Sequence, residues 1–391
     1  MSAAKSSLLI VDDNEDNRYT LTRRLQREGY TNLTTAVDGE QALELLGGRP
    51  FDLVLLDVMM PGLNGYEVLE HMRANNRLRH IPVIMISALD EIESVIRCIE
   101  LGAEDYLSKP FNPTLLRARV GASLEKKRLR DEIVAVLDQI EGELRSARAV
   151  QLGMVPTDFR LPTAAGPVEI FATLEPARQI GGDLYDFFWG EDGRLYFVIA
   201  DVSDKGAPAA LFMARTKTMI RMVATLSRAP AGVPLEPARI IRKVNEELCL
   251  DNRQGMFVTV FFGILDPATA VVSFCNAGHN PPYIVSGTNG VASLDGPRNK
   301  PLGIRPTFDY ASGTRTLDPG DCLFLFTDGI TEAMDPAGDW FSEERLEQTL
   351  RSLVGEPAST VVAKVIARVR EFAATAPQAD DIAAMAIRRS A

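Results

Sequence analysis

The chain has 391 residues, of which 46% are hydrophobic and 24% charged. That length exceeds one ordinary core and suits two domains with a connector, and the balance excludes a disordered chain. The formal net charge of −11 argues against nucleic acid as the main partner, because holding a phosphate backbone needs clustered Lys and Arg.

The first residues, MSAAKSS, lead straight into an apolar run without a signal-peptide pattern. From position 8 to about 121, short apolar runs alternate with amphipathic stretches. Strands are expected at 8–11, 33–37, 52–57 and 83–87, with a fifth ending in DYLSKP at 105–110. Three of these are nearly continuous apolar runs, as buried strands of a parallel sheet require. The stretch NRYTLTRRLQREG has helical periodicity and closes on Gly29. Five βα repeats predict a doubly wound α/β domain with a five-stranded parallel sheet over 6–122.

A helical connector is expected over 123–155. Ile133, Leu137, Ile140, Leu144 and Ala147 follow one another at spacings of four, three, four and three, which is a short heptad seam. It fits a coiled coil that pairs two copies of the chain as a homodimer; a packed amphipathic helix is the plainer alternative. Pro156 and Pro162 end it.

Over 156–391 the apolar runs LYFVIADV, FVTVFFGILD, VVSFCNAG and DCLFLFTDG read as strands. Helical stretches follow Ala207, span 237–250 and span about 342–375, before a last strand, IAAMAIR. This order predicts an α+β β-sandwich flanked by helices. Cys98, Cys249, Cys275 and Cys322 are far apart with no CxxC pair, and each is expected to be a buried free thiol, which fits a reducing cytosol. No apolar stretch approaches the ~20 residues that cross a bilayer, so no membrane partner and a cytoplasmic location are expected.

The polar residues of the first half fall where open α/β folds bind ligands, at the carboxyl ends of the strands. Asp12 and Asp13 follow the first strand, Asp57 ends the third, Ser87 ends the fourth and Lys109 follows the fifth. Converging carboxylates repel unless a cation joins them, and Mg²⁺ is the usual hard ion for carboxylate and phosphate oxygens. Asp57, the central one, is the expected nucleophile toward a phosphoryl group. Ser87 would bond the new phosphoryl oxygens and Lys109 would pair with them, with a cis Lys109–Pro110 peptide aiming the lysine. This set, with MMPGLNG after Asp57, resembles the receiver domain of bacterial response regulators. The resemblance implies that a histidine kinase phosphorylates Asp57, that Tyr106 rotates with Ser87 on activation, and that Asp13, Asp57 and Met59 hold Mg²⁺.

The second half carries separated acidic motifs: Asp183 in ARQIGGDLYD, Asp201 in IADVSDKG, Asp328 in LFLFTDGITE, and Asp380 with Asp381 in QADDIAAMAI. Aspartates at the ends of hydrophobic strands are costly unless paired or bound to metal, and one shared site for two divalent cations accounts for them all. Gly181, Gly182, Gly206 and Gly329 beside them permit tight turns. His279 is the only histidine of this half, so no Ser–His–Asp set is available and a metal-activated water is left as the nucleophile. His279 and Asn280 are expected in a hydrogen-bonded turn, with substrate contact or proton donation by His279 as the alternative.

The motifs ARQIGGDLYDFF, DVSDKGAPAALFMA, NAGHNPPYIV, PLGI, LFTDGITEA and DDIAAMA, in this order, resemble the SpoIIE-type branch of the protein phosphatase 2C superfamily over about 174–388. The resemblance implies a metal-dependent protein-serine/threonine phosphatase using two Mn²⁺ or Mg²⁺ ions. Asp183, Asp201, Asp328 and Asp380 would be ligands, Val202 would give its carbonyl, and Asp381 would stand behind Asp380 or replace it. Arg178, five residues before Asp183, has the spacing of an arginine that grips substrate phosphate in eukaryotic members. Asp204 departs from the pattern, since many members have Gly there. The implied substrate is a phosphorylated anti-sigma-factor antagonist. Phosphorylation of Asp57 would control the phosphatase through the connector, activation being the favoured sense. Rival readings are a non-catalytic receiver-controlled scaffold, a diguanylate cyclase suggested by GGD, and a DNA-binding regulator.

Overall fold

The computed structural model describes residues 5–87, 92–160, 168–227 and 235–390. Pro162 therefore lies outside the described residues. The chain divides into two compact units, Met1–Ile140 and Glu141–Ala391.

The first unit runs β1 (Ser7–Val11), α1 (Glu15–Arg27), β2 (Asn32–Ala36), α2 (Gly39–Gly48), β3 (Leu53–Asp57), α3 (Gly65–Ala74), β4 (Val83–Ser87), α4 (Ile92–Glu100) and β5 (Asp105–Ser108). The strands form one sheet in the order β2-β1-β3-β4-β5, and every pairing is parallel. Side chains alternate between its two faces. Leu9, Val11, Val54 and Leu56 pack into one core, while Leu8, Ile10, Leu53 and Leu55 pack into the other. Both faces are dry, which is why β1 and β3 read as unbroken apolar runs. Local capping fixes where helices begin: Asn14 accepts from the backbone of Asp16 and Asn17, and Asn64 and Glu67 form a capping box at α3.

Helix α5 spans Pro113–Met154. It starts ten residues before the connector expected at 123, because no proline interrupts the stretch and its good helix formers outweigh three glycines. The seam residues Ile133, Leu137 and Ile140 are exposed on it.

The second unit contains β6 (Val168–Glu175), β7 (Leu184–Trp189), β8 (Leu195–Val202), α6 (Ala207–Leu226), α7 (Pro237–Cys249), β9 (Val258–Asp266), β10 (Val271–Ala277), β11 (Tyr283–Ser286), β12 (Gly290–Ser293), β13 (Gly313–Thr316), β14 (Cys322–Phe326), α8 (Ser342–Arg351), α9 (Ala358–Ala373) and β15 (Ile382–Arg389). Two five-stranded sheets have the orders β13-β10-β9-β8-β7 and β12-β11-β14-β15-β6. Phe197, Phe261 and Phe274 from the first face Leu323, Leu325, Met385 and Ile387 from the second across one core. Helices α6 and α7 cover the outer face of the first sheet. Helices α8 and α9 cover that of the second. The result is a four-layer sandwich. The single final helix expected over 342–375 is two helices, broken where Gly355 takes φ +84° and Pro357 precedes α9. Cys98, Cys275 and Cys322 are buried free thiols, but Cys249 is only half-buried, at the last turn of α7.

Candidate functional site

At the carboxyl edge of the first sheet, one oxygen each from Asp12, Asp13 and Asp57 lie within 4.8 Å of one another. The Lys109 ammonium sits 2.9 Å from Asp12 Oδ2 and 2.8 Å from Asp57 Oδ2. Asp12 is fixed by the Asn14 amide and the Asn17 side chain, which donate to its Oδ1 at 3.0 and 3.1 Å. Burial is the largest influence on Asp57 and pushes its carboxyl up; the Lys109 hydrogen bond opposes this, and the Asp12 charge adds to it. Gly65 is required beside it, since a Cβ there would lie 2.1 Å from the Asp57 carbonyl oxygen. Ser87 is fully buried at the end of β4, next to β3. Tyr106 is half-buried on β5, and Met59 is exposed after β3. The Lys109–Pro110 peptide is cis.

In the second unit the acidic motifs meet where strands of the two sheets end. Asp183 precedes β7, Asp201 lies near the end of β8, Asp328 follows β14, and Asp380 and Asp381 precede β15. Asp183 and Asp201 lie close enough for the charge of Asp201 to act on Asp183. Burial raises the Asp183 carboxyl, with the charges of Asp201 and Asp381 adding to it. Asp201 is raised by burial and then by Asp328, Asp380 and Asp381, and Asp328 is pushed up to about 6 by burial, Glu332 and Asp380. Asp183, Asp201 and Asp328 are thus harder to ionise, first because they are buried and then because other carboxylates are near, and an added cation relieves that repulsion. The donors are all oxygens, as hard divalent ions prefer. Among the described residues no three carboxylate oxygens here come as close as in the first unit.

Backbone and side chains hold this arrangement. The Asp381 carboxylate accepts the amides of Ala177 at 2.8 Å and Gly182 at 2.7 Å. A Cβ on Gly181 would lie 2.1 Å from Asp381 Oδ2, one on Gly329 1.9 Å from the Asp381 carbonyl, and one on Gly182 2.9 Å from the Val202 carbonyl. These glycines let the loops close on the acids and on Val202. Asp380 instead faces Lys205, whose ammonium is 2.8 Å from its Oδ2. Asp204, the departure from the family pattern, has φ +74°. That left-handed conformation explains why glycine serves there, and Asp is among the residues that tolerate it. Arg178 is exposed, and its carbonyl accepts from Arg148 at 3.1 Å.

His279 is buried and bonded on both ring nitrogens: Nδ1 lies 2.8 Å from Thr259 Oγ1 and Nε2 3.1 Å from the Phe326 carbonyl. Burial lowers its pKa to about 4, so it is a neutral tie between β9 and the end of β14.

Three contributors went unnoticed in the sequence. Thr327 donates to Asp183 Oδ2 at 2.6 Å and accepts the Ala383 amide at 2.8 Å, joining the two sheets at the site. Its signal was a hydroxyl directly before Asp328. Gln151, on the last turns of α5, is buried; its Nε2 donates to the Gly181 carbonyl at 2.6 Å and its Oε1 accepts the Gly181 amide at 3.2 Å. A lone amide among Val150, Leu152 and Met154 was the clue. Asp186 is buried on β7 and pairs with Arg221 at 2.7 Å and Lys217 at 3.1 Å, pinning α6 to β7.

These features define a class: a response-regulator receiver followed by a domain of PP2C-like fold. The chain belongs to the SpoIIE family, whose sequence model, Stage II sporulation protein E, matches residues 191–390. Asp183 lies just before that stretch. The response regulator receiver domain matches residues 8–121. Protein IcfG of Synechocystis sp. is 30% identical over 228 residues, covering 53% of this chain and 35% of that protein. The probable transcriptional regulator ycf27 of Cyanidium caldarium is 41% identical over 133 residues, 34% of this chain and 52% of that protein. The chain thus spans between about a third and a half of these relatives' length. The SiaA-PP2C domain of Pseudomonas aeruginosa shares the fold, with 22% identity, a TM-score of 0.55, and coverage of 65% of this chain and 98% of that one. The GGD that echoes a cyclase signature opens β7 of this PP2C-like fold. Among the described residues no helix is long and apolar enough to cross a membrane.

Proposed function

We propose that the chain is a two-component response regulator whose receiver, phosphorylated on Asp57 by a histidine kinase, controls a metal-dependent phosphatase acting on phosphoserine or phosphothreonine of a partner protein. An anti-sigma-factor antagonist is the substrate that the family resemblance favours. The reading rests on one observation: aspartates from four distant segments converge at the ends of β7, β8, β14 and β15.

Asp183, Asp201, Asp328 and Asp380, with the Val202 carbonyl, would hold two Mn²⁺ or Mg²⁺ ions, and Asp381 would brace the loop before β7 through its two amide bonds. When bound, such ions lower the pKa of a water and neutralise charge building on phosphate oxygens. Thr327 keeps the Asp183 carboxylate aimed inward. Arg178, exposed before the Gly181–Gly182 turn, would meet the substrate phosphate. His279 holds strand ends rather than moving protons, since both its nitrogens are engaged inside the core. In the receiver, Asp57 would accept the phosphoryl group, Asp13, Asp57 and Met59 would hold Mg²⁺, Lys109 would pair with the phosphoryl oxygens, and Ser87 and Tyr106 would move in response.

Control would pass along α5. Its last turns bond to Gly181, which adjoins the Gly182 amide on Asp381 and the Asp183 ligand. A turn or slide of α5 that displaces Gln151 therefore moves the metal loop. The exposed seam of α5 supports pairing of two copies there. Hydrolysis of p-nitrophenyl phosphate with Mn²⁺ tests the reading. Native protein should turn over, and Asp201→Ala and Asp328→Ala should lose nearly all activity; full activity in both variants would refute the assignment. Acetyl phosphate should change the native rate and leave that of Asp57→Ala unaltered.

A further inference from the structure

Lys205 stands between two left-handed residues, Asp204 at φ +74° and Gly206 at φ +80°. Asp204 Oδ1 accepts the Lys205 amide at 2.8 Å, which tightens the turn. This turn aims the side chain at the segment before β15. The ammonium donates to the Ala379 carbonyl at 2.8 Å and pairs with Asp380 Oδ2 at 2.8 Å. The negative charge of Asp380 also acts on Asp201 and Asp328. A cationic side chain thus sits in a cluster that otherwise calls for divalent cations, on a carboxylate proposed as their ligand.

We propose that Lys205 is a tethered competitor of the divalent cation, holding Asp380 while no ion is there and being displaced when one binds. The inference rests on the reading of Asp380 as a ligand. A carboxylate oxygen carrying an ammonium must give up that bond to coordinate an ion, and the lysine charge repels the arriving ion in addition. Lys205 and Asp380 are both partly exposed, so solvent screens the pair and the effect is moderate. Binding at this position is weakened by the lysine, and the phosphatase becomes sensitive to small movements of the turn.

The direction of the effect separates this role from a merely structural one. If Lys205 only held Asp380 in place, its removal would loosen the site and weaken metal binding. As a competitor, its removal strengthens it. The test is calorimetric titration of Mn²⁺ into the full chain with Asp13→Ala suppressing receiver binding. In that background Lys205→Met should bind Mn²⁺ about three- to ten-fold tighter, and Lys205→Arg, which keeps the charge, should stay within about two-fold of the parent. Unchanged or weaker binding in Lys205→Met overturns the competitor role. Asp380→Asn separates the two layers: it should lose one Mn²⁺, and if it binds as the parent does, the ligand reading itself falls and takes the inference with it.

Discussion

Thr327→Val removes one hydroxyl and keeps the shape of the side chain. The hydroxyl is fully buried, donates to Asp183 Oδ2 at 2.6 Å and accepts the Ala383 amide at 2.8 Å. Losing the bond to Asp183 costs about 1–3 kcal/mol, and leaving the Ala383 N–H unpaired costs about 1–3 kcal/mol more. The added methyl returns about 0.8 kcal/mol. The net expectation is a loss of about 1–5 kcal/mol, or a fall in Tm of about 3–20 °C for a domain of this size. Thr327→Ser keeps both hydrogen bonds and should lose only about 1 kcal/mol. Thermal unfolding followed by circular dichroism measures both variants. Mn²⁺-dependent hydrolysis of p-nitrophenyl phosphate, assayed where all are folded, should show kcat at least about ten-fold lower in Thr327→Val, because the Asp183 carboxylate loses its orienting partner. A Thr327→Val protein as stable and as active as native would refute the role assigned to this hydroxyl.

Other consequences are open to measurement. The carboxyls of Asp183, Asp201 and Asp328 are raised in the cation-free protein, so the folded state holds protons that the unfolded chain releases at lower pH. Stability from these groups is present below their unfolded range and is lost as pH rises through about 6 and above. Cation-free protein should therefore have a lower Tm at pH 8 than at pH 5.5, and Mn²⁺ should raise Tm more at pH 8; the reverse order would contradict the cluster. Gln151→Ala breaks both bonds to Gly181, and should leave a phosphatase whose rate no longer responds to acetyl phosphate; a native-like response would place the coupling elsewhere. Leu137→Lys with Ile140→Lys alters side chains that are 54% and 47% exposed, so a coiled-coil dimer should become monomeric by light scattering with little change in Tm, whereas an unchanged mass would dismiss pairing through this seam.

The receiver was legible because its signals are local. Apolar runs gave its first four strands within a residue at each end and the fifth with its end two residues too late, and the acids at their carboxyl ends followed from parallel topology. The acids of the second domain were also visible, since Asp201, Asp328 and the Asp380–Asp381 pair adjoin strongly apolar strands and Asp183 follows a glycine pair. What holds them was not. Thr327, Gln151 and Lys205 act through Asp183, Gly181 and Ala379, which lie 144, 30 and 174 positions away, and no periodicity encodes such pairings. Strands β6 and β7 escaped notice because they mix charged residues into the apolar alternation, as in VEIFATLE and LYDFFW. Short strands β11 to β13 escaped because four residues are too few to show a period. The connector's start was misplaced because a helix that continues without a breaker leaves no mark in the sequence.

Anomalous diffraction from a crystal of the native chain soaked in Mn²⁺ tests the central claim most directly. Two peaks should appear in the second domain, contacted by the carboxylates of Asp183, Asp201, Asp328 and Asp380, with a further peak at Asp13 and Asp57. Peaks confined to the receiver, or carboxylates of the second domain turned away from any ion, would contradict it.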